Sequence, residues 1–271
     1  AFSFDLFPSA LLDNLFILKT ASPDLPGEFA GGIIQLNTKD IPDKGFIGLT
    51  VGTGMNTNST FKNYSTGPTG KTDWIGVDDG TRALPDGFPS SAEYKKMTQA
   101  QKFDYSKQVT NDWGVQTKDN SPINTNLQLS FGDQMNVGKS KFGYIGALTY
   151  NRTAKTQSVA RGDFDFDGSA RYDYLDEQYN DNVLAGGILN MTMKFSDNNK
   201  ISLKNYLSVN SENATIMRTG DDIELQQEKQ SNALQYTSNV LFNSQLAGEH
   251  YLPKSKLGIK WYAGAGAISR E

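Results

Sequence analysis

From residue 45 onward, apolar and polar side chains alternate with a period of two through seven segments, roughly 45–55, 124–134, 141–153, 184–195, 200–210, 232–251 and 256–269. That period is the signature of a strand whose successive side chains point to opposite faces. Leu127, Leu129 and Phe131 alternate with Gln128 and Ser130, and Phe142, Tyr144, Leu148 and Tyr150 share one face with Gly146. Leu189, Met191, Met193 and Phe195 stand opposite Asn190, Thr192 and Lys194. Ile201, Leu203, Leu207 and Val209 stand opposite Ser202, Lys204 and Tyr206, and Leu257, Ile259, Trp261, Ala263 and Ala265 opposite Lys260 and Tyr262.

The connections alternate between long and short. A polar insert over about 56–123 is followed by a short turn at 134–140. A long loop over about 154–183 then precedes a turn at 196–199, and a long loop over about 211–231 precedes a turn at 252–255. Transmembrane β-barrels have this asymmetry, with short periplasmic turns and long outside loops. Several segments exceed the five or six residues usual in soluble sheets and suit the 9–11 residues that cross the hydrocarbon layer. The pattern therefore predicts an all-β chain forming a transmembrane antiparallel β-barrel. Leu148, Leu189, Met191 and Leu203 are expected to touch lipid; Gln128, Asn190, Lys204 and Lys260 are expected to face a wet lumen. Phe46, Phe131, Phe142, Phe195, Tyr251 and Trp261 recur beside the short turns. They read as an interfacial girdle rather than as core aromatics of a soluble β-protein.

The first 44 residues differ. The apolar stretch from Leu11 to Leu18 reads as a turn running into a strand. Pro23, Pro26 and Gly27 break the chain, and Gly31 and Gly32 open a second strand over 31–38. Pro42 and Gly45 mark a boundary, giving one unit over 1–41 and a second over 42–271.

Composition narrows the function. Among 271 residues there are 26 Gly, 15 Phe, 12 Tyr and 3 Trp, with a mean hydropathy of -0.52. A barrel keeps its mean hydropathy low because half of each strand is polar. No apolar run reaches the length of a transmembrane helix. A net charge of -4 argues against a nucleic-acid partner. With no Cys and one His, thiolate sites and His clusters are excluded. The chain opens mid-motif at Ala1 and stops inside a strand-like segment, so it reads as a fragment of something larger.

The segment Phe7-Pro8-Ser9-Ala10-Leu11-Leu12-Asp13-Asn14-Leu15-Phe16-Ile17-Leu18-Lys19-Thr20 leads into Pro26-Gly27-Glu28-Phe29-Ala30-Gly31-Gly32-Ile33-Ile34-Gln35-Leu36-Asn37-Thr38-Lys39. Over residues 5–44 this closely resembles the end of the plug domain of TonB-dependent outer-membrane transporters, especially receptors of the Bacteroidetes type. In that family an "I-E-V-x-K" strand and a small-residue turn are followed by "GG-V-x-N-I-x-T-K" and the first barrel strand. Residues 15–19 and 31–39 occupy those places, with Gln35-Leu36-Asn37 a departure from the common form. Asp78-Asp79-Gly80-Thr81-Arg82-Ala83-Leu84-Pro85 resembles a loop motif of such receptors.

The resemblance implies that 1–41 is the C-terminal part of a plug, and that 42–271 is the first part, about seven strands, of a barrel of about 22 strands. Its implied function is import of a scarce nutrient (an iron chelate, oligosaccharide or peptide) across the bacterial outer membrane. The implied partners are TonB with its inner-membrane motor proteins, a surface lipoprotein and outer-membrane lipid; no cofactor and no enzymatic step are implied. Leu15, Ile17, Ile33 and Leu36 would form a small plug core, and Glu28 and Lys39 would need polar partners. Two other classes stay open: a barrel acting as an adhesin or assembly component without import, and a soluble β-rich binding or hydrolytic domain.

Other motifs carry less. Asp163-Phe164-Asp165-Phe166-Asp167-Gly168 matches the opening of a calcium loop, with alternate oxygen ligands and a turn glycine. The twelfth position holds Tyr174 rather than Glu, and Asp173, Asp176 and Glu177 are nearby substitutes. A solvated acidic loop is the plainer reading. Phe164, Phe166, Tyr172 and Tyr174 in the same stretch are candidates for contact with a ligand or partner, or for packing the loop. Gly70-Lys71-Thr72 lacks the upstream glycine of a P-loop, since Ser65 stands there. His250 reads as a girdle or turn residue, and a short helix is expected within 91–112.

Overall fold

In the computed structural model, residues 11–20, 31–109 and 113–270 are described; residues 5–10 and 21–30 of the plug-like segment lie outside them. The chain is mostly β-sheet with two short α-helices. Strands β1 (Leu12–Leu18) and β2 (Ile33–Thr38) pair antiparallel. Then come β3 (Phe46–Gly54), the insert, β6 (Asn124–Val137), β7 (Ser140–Phe164), β8 (Ala170–Ser196), β9 (Asn199–Asp222), β10 (Gln227–Leu252) and β11 (Leu257–Arg270). Within the insert lie β4 (Tyr64–Thr66), a 3-10 turn (Asp73–Ile75), α1 (Ser91–Lys96), α2 (Gln99–Ser106) and β5 (Gln116–Lys118). The seven long strands form one sheet in the order β3-β6-β7-β8-β9-β10-β11, every neighbour antiparallel.

All seven strands expected from the alternation are present, but four reach much further than it indicated. β7 to β10 run 25, 27, 24 and 26 residues. At about 3.3 Å per residue they span roughly 80–90 Å. The segments read as loops over 154–183 and 211–231 are mostly strand, leaving only the hairpin connections 165–169 and 223–226. Above residue 152 both faces of β7 are polar: Thr153, Lys155 and Gln157 on one, Arg152, Thr156 and Ser158 on the other. A strand polar on both sides has no hydrophobic period, while its backbone ladder forms regardless.

Register divides the sheet into two faces. The row Leu49, Leu129, Leu148, Gly187, Leu207, Phe242 and Ala267 crosses all seven strands in cross-strand pairs. Below it runs Tyr144, Met191, Leu203, Leu246 and Ala263. This face is apolar, and Leu148, Leu189, Leu207, Phe242 and Leu246 are exposed on it. The opposite face carries Gln128, Asn190, Lys204 and Lys260, so Leu148, Leu189, Met191 and Leu203 are segregated from them as the alternation predicts. Phe131, Phe142 and Trp261 share the apolar face near the short turns, where His250 stacks on Trp261 at 6.4 Å. Phe46 and Tyr251 do not belong with them. Both fall on the polar face by register, and Phe46 packs on the buried cluster described next.

The two faces are covered differently. The N-terminal segment lies on the polar face, where Leu11, Ile145, Ala147 and Ile188 form a small buried core with Phe46 and Tyr206 against it. Asn190 Nδ2 donates to Thr38 Oγ1 at 2.8 Å, and Lys39 N donates to Leu11 O at 2.9 Å. Ile41 packs on Gly143, where any Cβ would come within 2.8 Å of its Cγ2 atom. The expected plug core is not formed by Leu15 and Ile17, which are 45% and 58% exposed. A two-stranded ribbon cannot bury its own side chains, and the residue that does anchor the segment is Leu11. The side chain of Leu36 is outside the described residues.

The insert lies on the other side, on the upper part of the face whose lower part is apolar. Tyr150 Oη donates to Trp74 O at 2.7 Å and Ser238 Oγ to Gly76 O at 2.7 Å. The Asp78–Arg82 motif organises it. Arg82 reaches Asp73 and Asp78, with nitrogen–oxygen distances of 2.5 to 2.8 Å, donates to Pro68 O at 2.8 Å, and lies 3.9 Å over the ring of Tyr236. The helix expected within 91–112 is two helices. Each starts with a capping box, Ser90 with Glu93 and Thr98 with Gln101.

Candidate ligand-facing wall

The polar face of the sheet gathers charge at two levels. Near the short turns, Asp40 accepts from Lys200 at 2.6 Å and pairs with Lys204 at 2.9 Å. Lys200 lies 3.3 Å from Glu249, which in turn lies 3.7 Å from Lys260. This ionic ladder ties the segment that follows β2 to strands β9, β10 and β11.

In the upper part, cross-strand pairing places Asp176 of β8 opposite Arg218 of β9. Arg218 donates through Nε at 2.6 Å and through a terminal nitrogen at 2.8 Å, and Arg161 of β7 donates through Nε at 2.6 Å. Asp176 is 0% exposed. The hydrogen bonds from Arg218 hold its carboxyl below the usual carboxylate range; burial opposes this, and Arg161 adds to it. Arg161 is half exposed and leaves its terminal nitrogens without a hydrogen bond among the described residues.

Tyr172 and Tyr174, two residues apart on β8 and so on one face, stack at 4.7 Å. The Arg218 guanidinium lies 5.0 Å from the Tyr174 ring and the Lys229 ammonium 5.5 Å, while Tyr174 Oη donates to Asp222 at 2.9 Å. The structure thus joins two of the four aromatics singled out in the sequence to a cationic frame. Guanidinium N–H groups beside tyrosine faces are suited to polar ligands carrying oxygen acceptors and a flat or ring-shaped body. Phe164 and Phe166 stand apart at the β7–β8 tip, strongly exposed.

The calcium-loop candidate is this same tip. Arg171 approaches Asp163 at 3.7 Å and Asp165 at 3.4 Å, so a guanidinium occupies the place between them. Asp167 accepts from Ser169 N at 2.9 Å and from its hydroxyl at 2.6 Å, and Gly168 takes a φ of 84°. The D-x-D-x-D-G spacing is accounted for as a hairpin turn. Among the described residues no group of three or more His, Cys, Asp or Glu side chains is placed to hold a metal ion.

Arg161, Arg218, Lys229 and Asp222 were not singled out by sequence reasoning. They converge on Tyr174 and Asp176 only through pairing of three strands, with 15 and 42 residues separating Asp176 from its two arginines. Comparison with protein-family models, curated proteins and solved structures finds no match to the chain.

Proposed function

We propose that the chain forms the end of the plug and the first strands of the barrel of a TonB-dependent outer-membrane transporter that imports a scarce nutrient. One observation carries this reading. A single antiparallel meander has an uncovered apolar face near its short turns, and an opposite, polar face to which the N-terminal segment is pinned by Asp40 and Thr38. An apolar face across seven strands far exceeds what a monomer leaves in water, and lipid is the solvent that suits it. The resemblance of residues 5–44 to a plug end supports the same assignment. In this reading the polar face lines the lumen, and the long hairpins rise outside the cell. The Asp176 cluster then meets the incoming ligand above the plug. Import moves the ligand without making or breaking its bonds, and the energy comes from TonB pulling on the plug.

The test uses the full-length protein in its native host. It should fractionate with the outer membrane, run faster in gel electrophoresis unheated than heated, and support nutrient uptake that stops when TonB is deleted. Residence in the outer membrane with uptake indifferent to TonB would favour an adhesin or assembly role instead. A protein soluble without detergent would overturn the barrel.

A further inference from the structure

We infer that the apolar side of the sheet carries a binding site for an anionic glycolipid of the outer leaflet, its phosphosugar headgroup under the insert and an acyl chain in a furrow below. The inference rests on the outer-membrane reading proposed above. It concerns the face opposite the Asp176 cluster, off the path through the lumen.

The insert does not seal against the sheet. It roofs a cavity of about 320 Å³ whose lining includes Tyr64, Lys71, Trp74, Lys118, Arg152 and Tyr236. The sheet residues in that lining belong to the same face as the apolar belt: Arg152, Val183 and Ser211 form a cross-strand row, extended in β10 by Ser238, and Tyr236 stands on the same face of β10. That row lies four residues above Leu148, Gly187, Leu207 and Phe242, or about 13 Å. Around this lower row is a furrow of about 280 Å³ walled by Phe131, Leu148, Leu189, Leu207 and Phe242. Gly187 forms its floor, and an added Cβ would sit 3.1 Å from Leu148 Cδ2. The polar cavity and the apolar furrow are therefore stacked along the strands. Headgroup and chain of one lipid are arranged in the same order.

The cavity's unused chemistry defines the headgroup. Arg152 is held by Asp181 at 3.0 and 2.6 Å, and Asp73 is held by Arg82. Lys71 and Lys118 have no carboxylate within 4.0 Å among the described residues, so two ammonium groups at the cavity are uncompensated. Tyr64 and Tyr236 line the cavity with buried phenolic oxygens, that of Tyr64 beside the Thr66 hydroxyl and that of Tyr236 beside the Ser211 hydroxyl. The exposed Trp74 beside these hydroxyls suits a sugar ring, and two ammonium groups without a carboxylate suit its phosphate. The furrow adds a place for an acyl chain that a free sugar phosphate lacks.

Native mass spectrometry of the detergent-purified full-length protein tests this with four probes: an acylated diglucosamine bisphosphate, its dephosphorylated counterpart, a zwitterionic phospholipid and free glucosamine phosphate. The bisphosphate lipid should be retained at least tenfold more than each of the others. Lys71→Glu with Lys118→Glu should abolish that preference, and Gly187→Leu should weaken retention of the acylated probe. Equal retention of the dephosphorylated lipid, or an unchanged double variant, would overturn the site. Equal binding of free glucosamine phosphate would overturn the lipid assignment. The four-probe comparison needs no variant, so a misfolded mutant cannot obscure it. Heat-modifiable mobility of the same sample shows whether the barrel reading stands: a folded membrane barrel without lipid preference sinks only this inference.

Discussion

Asp176 shows how a buried carboxylate on a sheet becomes an organiser. It has no exposed surface, yet three guanidinium nitrogens from two strands satisfy it. Asp176→Asn should lower stability by about 1.5–3 kcal/mol, because hydrogen bonds to a charged group are lost while both arginines stay partly solvated. Denaturant titration at neutral pH measures it. The sign of the pH dependence follows from the depressed folded pKa. The unfolded carboxyl titrates near 3.9, so the contribution is complete above that value and disappears as pH falls through the lower folded one. The wild type should therefore lose stability over Asp176 on acidification below about pH 4, and the Asn variant should not show that component. Asp79 behaves alike in the insert. The Thr81 hydroxyl and the backbone N–H groups of Lys71 and Thr81 hold it down to about 2, so its share in ordering this loop declines as pH falls from about 4 and is lost below that lower value.

Among elements, the four long strands make the sharpest claim. Limited proteolysis of the folded protein should cut at 165–169 and 223–226 and spare 154–164, 170–183 and 211–222; cutting throughout 154–183 would restore the loop reading. The centres of the seven strands were legible because one face there is apolar and the other polar, as in Leu189, Asn190 and Met191. Their upper halves were not, since Lys155, Thr156 and Gln157 alternate nothing. The wall was legible in part for a similar reason. Tyr172 and Tyr174 stand out locally, whereas Arg161 and Arg218 acquire meaning only once β7, β8 and β9 are in register. Gly31 and Gly32 stay exposed, with nothing within 4 Å of a Cβ added at Gly31, and the anchoring role falls to Leu11, whose burial depends on Ile145 and Ile188 from strands far along the chain.

For the whole molecule, the two faces predict opposite responses to the same kind of change. On the barrel reading, Leu189→Arg places a cation on the lipid-facing side at mid-membrane depth and should cost about 2–4 kcal/mol, read from refolding into lipid vesicles. Gln128→Arg, on the polar face, should be tolerated in the same assay. The Asp40 ladder joins the N-terminal segment to β9, and a disulfide between Asp40→Cys and Lys204→Cys should form readily. On the transporter reading proposed above, such a tether should stop uptake while leaving surface ligand binding intact, with reductant restoring transport. Uptake unaffected by the tether would show that the segment after β2 need not leave the wall.

In the outer-membrane reading proposed above, the reach of the β7–β8 hairpin sets where the outside world first meets this protein. From Tyr150, at the upper margin of the apolar band, to Phe164 is fourteen steps along one strand, about 45 Å of continuous ladder. Bacterial surfaces are coated with sugar chains that screen whatever lies flush with the lipid. A pair of phenylalanines carried on a mast of that height stands clear of the inner layers of such a coat. Antibodies or phage selected against whole cells should then recognise Phe164 and Phe166, and should lose their target when the hairpin is shortened in register by matched deletions from β7 and β8.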